Sequence, residues 1–168
     1  MSKRSEQHAT FSIERVFNAP VKRVYDAFAT EAGKSRWFAG GGKWDLMERK
    51  FDFRVGGRER LKGKWKDGAI TDFDCTYHDI VPDQRIVYVY DLYHNGNKLS
   101  VSLATIEFAV AGAGTKLTVT EQGVFLDGYD DAGGREQGTR KLLDQLAASL
   151  QGGRTFGGTV LEEYFPRG

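Results

Sequence analysis

Residues 85–125 read RIVYVYDLYHNGNKLSVSLATIEFAVAGAGTKLTVTEQGVF: three runs rich in β-branched and aromatic residues, separated by Asn95-Gly96 and Gly112-Ala113. Both separators are two-residue hairpin signals between strands. Gly112-Ala113 pairs Phe108 with Leu117 and Ile106 with Val119, so apolar faces apolar. Asn95-Gly96 sets Leu92 against Leu99, Tyr90 against Val101 and Tyr88 against Leu103, again apolar pairs. Along the middle run the apolar parity switches from odd (Leu99, Val101, Leu103) to even (Ile106, Phe108). One extra residue must be absorbed, and the switch predicts a β-bulge near Ala104-Thr105.

Working toward the N-terminus, the same parity test applies to Lys66-Asp67-Gly68. A two-residue loop would oppose Lys62 to Phe73. A three-residue loop with a left-handed Gly68 instead pairs Lys62 with Asp72, Arg60 with Asp74 and Leu61 with Phe73. Further strands are expected over 10–17, 49–55, 58–65 and 69–81. Between the first two, Val21, Val24, Tyr25 and Phe28 recur at helical spacing after Asn18-Ala19-Pro20, with Asn18 as cap. A second short helix over 30–38 ends in Trp37-Phe38. Beyond the meander, Leu142, Leu143, Leu146, Ala147 and Leu150 stripe one face of a helix over 136–151, stopped by Gly152-Gly153. The pattern predicts an α+β domain: a curved antiparallel sheet of about seven strands around a long C-terminal helix, with two short helices after the first strand. It divides into an N-terminal extension (1–8), one domain (9–152) and an apolar tail (153–168) expected to dock.

Composition narrows the function. The chain has 168 residues, 24 Lys+Arg, 23 Asp+Glu and a net charge of +1, which argues against a nucleic-acid binder. Residues 1–66 carry 16 basic and 8 acidic side chains, and cross-strand pairing with the acidic remainder accounts for this asymmetry. A lone Cys75 excludes an intramolecular disulfide and multi-Cys metal sites. His8, His78 and His94 lack ligand spacing, so no metal and no cofactor is expected. No run approaches the roughly 20 apolar residues of a membrane span, and a cytoplasmic protein without membrane partners is the expectation. There is no Gly-x-Ser-x-Gly elbow and no phosphate-binding glycine motif.

The order of elements, with Asn18-Ala19-Pro20-Val21-Lys22-Arg23-Val24-Tyr25-Asp26-Ala27-Phe28, Trp37-Phe38, Asp52-Phe53-Arg54-Val55-Gly56-Gly57 and Gly114-Thr115, resembles the START/Bet v 1-like (SRPBCC) superfamily. Within it, the chain is similar to the group named after the activator of Hsp90 ATPase, over residues 9–151. It departs at Gly138-Thr139, where such proteins often carry Gly-Trp. The resemblance implies a helix-grip fold with a cavity for a small hydrophobic molecule. It implies no single chemistry, since the superfamily includes carriers, cyclases and co-chaperone modules, and function must come from the site.

Glu121 is the sharpest candidate, because parity with Leu117 and Val119 points its carboxylate inward. Two readings stand: a desolvated acid/base or ligand-binding group, or a structural carboxylate that meets solvent or an Arg. Tyr77, Tyr88 and Tyr90 offer hydroxyls from an apolar wall. Trp37, Phe38 and Trp44 flank Gly40-Gly41-Gly42 and could gate a cavity. Trp65, Val101, Phe108 and Val119 complete the expected wall. The leading expectation is a hydrophobic-ligand-binding module. The alternatives are a cyclase- or lyase-type enzyme using Glu121, and a chaperone cofactor or stress-related interaction protein. A homodimer that exchanges the tail is a further arrangement open to the chain.

Overall fold

The computed structural model describes residues 4–151. Seven strands form one antiparallel sheet: β1 (Glu6–Phe17), β2 (Trp44–Phe51), β3 (Arg58–Trp65), β4 (Ile70–Val81), β5 (Arg85–His94), β6 (Asn97–Ala111) and β7 (Gly114–Leu126). The spatial order is β1-β7-β6-β5-β4-β3-β2, a meander whose first strand joins the far edge beside the last. Helices α1 (Val21–Ala29) and α2 (Glu31–Ser35), then a short turn over Gly41–Lys43, lie between β1 and β2. The long helix α3 (Ala132–Ser149) closes the concave face. This is the expected α+β helix-grip arrangement.

Local chemistry explains most boundaries. Helix α1 buries Val24, Tyr25 and Phe28 of the stripe read from spacing, together with Ala27, while Val21 at its start is only half-buried. Its cap is Pro20, not Asn18, and no side chain caps it. Helix α3 starts earlier than its apolar stripe suggested, because the Asp131 side chain accepts from Gly134 N at 2.7 Å and nucleates the first turn. Leu143, Leu146 and Leu150 then enter the core, each stabilising by about 1.5–3 kcal/mol on full burial. Arg15 Nη1 to Asp144 Oδ1 (2.8 Å) ties α3 to β1. Strand β1 begins at Glu6, paired with Leu126, so residues 6–8 of the expected extension belong to the sheet. Strand β2 spans Trp44–Phe51 rather than 49–55. The tail over 153–168 lies outside the described residues.

The Lys66–Gly68 turn has the expected register: Lys62 opposes Asp72, Arg60 opposes Asp74 and Leu61 opposes Phe73, with Gly68 at φ 94°. The charges pair diagonally, however. Arg60 reaches Asp72 at 2.8 Å and Arg58 reaches Asp74 at 2.7 Å, because strand twist brings diagonal neighbours within reach of a long side chain. Phe108–Leu117 and Ile106–Val119 pair as read.

The β5–β6 hairpin corrects the sequence reading. Tyr93 opposes Lys98 but Leu92 opposes Ser100, so the irregularity falls at Leu99, beside the turn, and not at Ala104-Thr105. Every later position shifts by one: Tyr90 opposes Ser102 and Tyr88 opposes Ala104. Ser100, Ser102, Ala104, Ile106 and Phe108 therefore face the core, while Leu99, Val101 and Leu103 face outward. A one-residue slip exchanges the two faces of a strand. The apolar-inward assumption failed because the core at this point is polar.

Candidate functional site

The sheet's inner face carries two buried polar clusters, one met by α3 and one by α2, and one recess. The first cluster surrounds Glu121, which is 3% exposed. The Tyr90 hydroxyl lies 2.9 Å from both carboxylate oxygens, and Ser102 donates to Oε2 at 2.9 Å. Arg135, in the first turns of α3, reaches Oε2 at 3.2 Å. Arg135 also donates to Tyr90 Oη at 2.8 Å, Ser100 Oγ at 2.7 Å and Asp130 Oδ2 at 3.2 Å. Burial, then the Glu121 charge, raises the Tyr90 hydroxyl above its ordinary range, so it stays protonated and donates. The carboxylate of Glu121 is thus fully partnered, as a buried charge requires. Of the two readings of Glu121, the geometry supplies the Arg of the structural one.

The second cluster was not anticipated. Glu59 on β3 is completely buried, and its Oε1 accepts from Lys34 Nζ and from the Tyr77 hydroxyl, both at 2.5 Å. Its other oxygen stands 3.8 Å from Arg49 Nη1, and neither atom has a hydrogen-bond partner among the described residues. The Lys34 ammonium sits 4.6 Å from the Phe38 ring centroid and 5.8 Å from those of Phe73 and Tyr88. Burial, then the Glu59 charge, drives the Tyr77 hydroxyl far above its ordinary range. The signal for Glu59 was available, since it shares inward parity with Leu61. Lys34 lies in a five-residue helix, where spacing alone marks no face.

The recess has a volume of about 310 Å³. Its floor is Leu61 and Trp65 of β3, Thr71 and Phe73 of β4, and Leu92 of β5. Helix α3 contributes Gly138, Lys141, Leu142 and Gln145, the segment before β2 contributes Phe38, Ala39 and Gly40, and β2 itself contributes Trp44. Gln145 holds that segment, donating from Nε2 to the carbonyls of Trp37 (2.5 Å) and Ala39 (3.1 Å). The Trp44 indole lies flat over Gly63, where any Cβ would collide with the ring. Trp65 Nε1 donates to Thr71 Oγ1 at 3.2 Å. Gly138 faces open space: a Cβ added there would meet nothing within 4 Å.

The other expected wall residues fall into distinct places. Phe38, Trp44 and Trp65 line the recess. Trp37 is sealed in the core, its indole donating to Ala27 O at 2.8 Å and its ring 4.8 Å from Phe28. Phe108 packs against Tyr25 and Phe28 under α1, with Val119 buried on the neighbouring strand. Val101 is on the outer face and meets no part of the recess. Glu121, Tyr77 and Tyr90 belong to the polar clusters. Tyr88 stands between those clusters, its ring 6.4 Å from Phe73, 5.9 Å from Tyr77 and 6.0 Å from Tyr90. Among the described residues no cluster of three or more His, Cys, Asp or Glu is placed to hold a metal ion. No described helix is long and apolar enough to cross a membrane.

Comparison with known proteins agrees with this architecture. No curated protein matches the chain. An uncharacterised protein from Rhizobium leguminosarum is 44% identical, with 89% of this chain and 98% of that one covered at a TM-score of 0.84. The Mll3558 protein from Rhizobium loti is 46% identical over 86% of this chain and 99% of its own, with a TM-score of 0.80. An AHSA1-like protein from Aeromonas hydrophila shares the fold at 23% identity and a TM-score of 0.68, over 85% of this chain and 92% of that one. The family model "Activator of Hsp90 ATPase homolog 1-like protein" matches residues 18–151, and the chain belongs to that family.

Proposed function

We propose that the protein binds a small apolar molecule in the recess between the sheet and α3, with the hydroxyl of Tyr88, whose ring lies 6.4 Å from that of Phe73, as a polar contact. The observation that carries this reading is Tyr88. It sits mid-strand on the concave face, and its cross-strand neighbours Tyr77 and Ala104 are each 1% exposed. Tyr88 nevertheless keeps accessible surface. Its hydroxyl has no partner among the described residues, whereas those of Tyr77 and Tyr90 each have a carboxylate. Burial, then Tyr90, raises the Tyr88 hydroxyl well above its usual range, so it is a neutral donor. An apolar wall with a few polar groups is the ordinary composition of a small-molecule site.

The enzymatic alternative has less support, since Glu121 is fully engaged and does not line the recess. A chaperone-cofactor role draws only on the family's name. The test is Gly138→Trp, which fills the recess from a helix position with open space in front of it. Wild-type protein should enhance the fluorescence of the uncharged probe N-phenyl-1-naphthylamine saturably, and the variant should not, with its melting temperature kept. Equal probe binding by the two proteins would refute the reading.

A further inference from the structure

We infer that the ligand is an amphipathic anion: an apolar body seated in the recess, with a carboxylate, sulfonate or phosphate at its mouth facing Lys141. This rests on the ligand-binding reading above. Every other side chain that lines the recess is uncharged. Lys141 is exposed on α3 and forms no ion pair among the described residues, although the other two cations of that helix, Arg135 and Arg140, are paired. Its i−4 and i+4 neighbours are Gln137 and Gln145, and its acidic i+3 neighbour, Asp144, is paired with Arg15 at 2.8 Å.

Two further lysines lie next in sequence to the recess residues Trp44 and Trp65. Lys66 N donates to Lys43 O at 2.9 Å, which brings these two exposed lysines together beside Trp44 and Trp65. Neither has an ion pair among the described residues. Lys64 and its cross-strand partner Asp45 alternate with Trp65 and Trp44 and so face the other side of the sheet. Lys141 is the one charge on the described lining of the recess. An unpaired cation at the edge of a low-dielectric wall attracts an anion and orients its head outward. An apolar interior cannot accept the charged head, so the head must remain at the rim.

Two fluorescent probes with one ring system separate charge from shape. 8-Anilinonaphthalene-1-sulfonate carries a sulfonate, and N-phenyl-1-naphthylamine is the same body without it. Wild-type protein should bind the sulfonate more tightly, and that preference should shrink as salt rises. Lys141→Glu should weaken the sulfonate by roughly 3-fold to 10-fold and shift the neutral probe by less than about 2-fold. Lys141→Gln should fall between the two. Equal shifts for both probes, or no shift for the sulfonate, would overturn the anion inference while the recess stood. Failure of both probes to bind, or binding that survives Gly138→Trp, would remove the ligand-binding reading and this inference with it.

Discussion

Arg135 Nη1 stands 3.2 Å from Glu121 Oε2, joining the N-terminal turns of α3 to the middle of β7 inside the core. The pair does for the helix what the leucine stripe does further along: it sets where α3 rests on the sheet. Apolar contacts tolerate sliding, whereas a charged pair with three hydroxyl partners has one good geometry.

Breaking that pair should be costly. Arg135→Met leaves Glu121 buried without its counter-charge and should destabilise by about 3–5 kcal/mol in urea unfolding. Replacing both, as Glu121→Leu with Arg135→Met, should recover much of the loss. A double variant no more stable than the worse single one would show that the hydroxyls around the pair, rather than the charges, hold the helix.

Lys34→Met should behave similarly at the second cluster. It leaves the completely buried Glu59 with only the Arg49 guanidinium, 3.8 Å away, as counter-charge, and should cost about 3 kcal/mol. Adding Glu59→Gln should relieve most of it, because a neutral amide can still bond the Tyr77 hydroxyl. Chemical denaturation of the three variants decides, and a Lys34→Met protein within about 0.5 kcal/mol of wild type would contradict the arrangement.

Alkaline pH should weaken the fold early. Burial pushes the Cys75 thiol from 9.0 up to about 12, and burial also raises Tyr77 and Tyr90. Each group is more readily deprotonated when unfolded, so the stability it contributes is complete below its unfolded pKa. It is lost as pH rises toward the folded value, which for Cys75 means between 9 and about 12. The slope should be about 1.4 kcal/mol per pH unit for each group titrating only in the unfolded chain. Urea midpoints from pH 8 to 11 measure it, and flat stability across that range would contradict the burial of these groups. Below pH 9 the native thiol should also resist disulfide reagents until the protein unfolds.

Gly63→Ala should disturb the recess without touching its polar groups. A Cβ there meets the Trp44 indole, so the ring must lift from the sheet or β2 must shift. The expected cost is about 1–3 kcal/mol, with a red-shifted tryptophan emission as Trp44 gains water. An unchanged spectrum would mean that Trp44 is not seated on Gly63.

Much of this architecture was legible in local pattern. The hairpin at Lys66-Asp67-Gly68 and the pairing of Phe108 with Leu117 follow from parity and turn chemistry, which act over a few residues. The inward direction of Glu121 came from the same parity. The β5–β6 register did not, because Leu99, Val101 and Leu103 look like a core face while the inward positions are Ser100 and Ser102. Those serines turn inward to serve a guanidinium that arrives from α3, 35 and 33 residues later in the chain.

The amino-acid sequence by itself determined the meander, the closing helix and the family, since hydrophobic period and turn residues are short-range signals that survive without a partner. Only the tertiary structure decided which polar groups meet: Glu121 with Arg135, Glu59 with Lys34, and Tyr88 with none among the described residues. Buried charges are matched across the fold rather than along the chain. A one-residue bulge is enough to change which side of a strand they see.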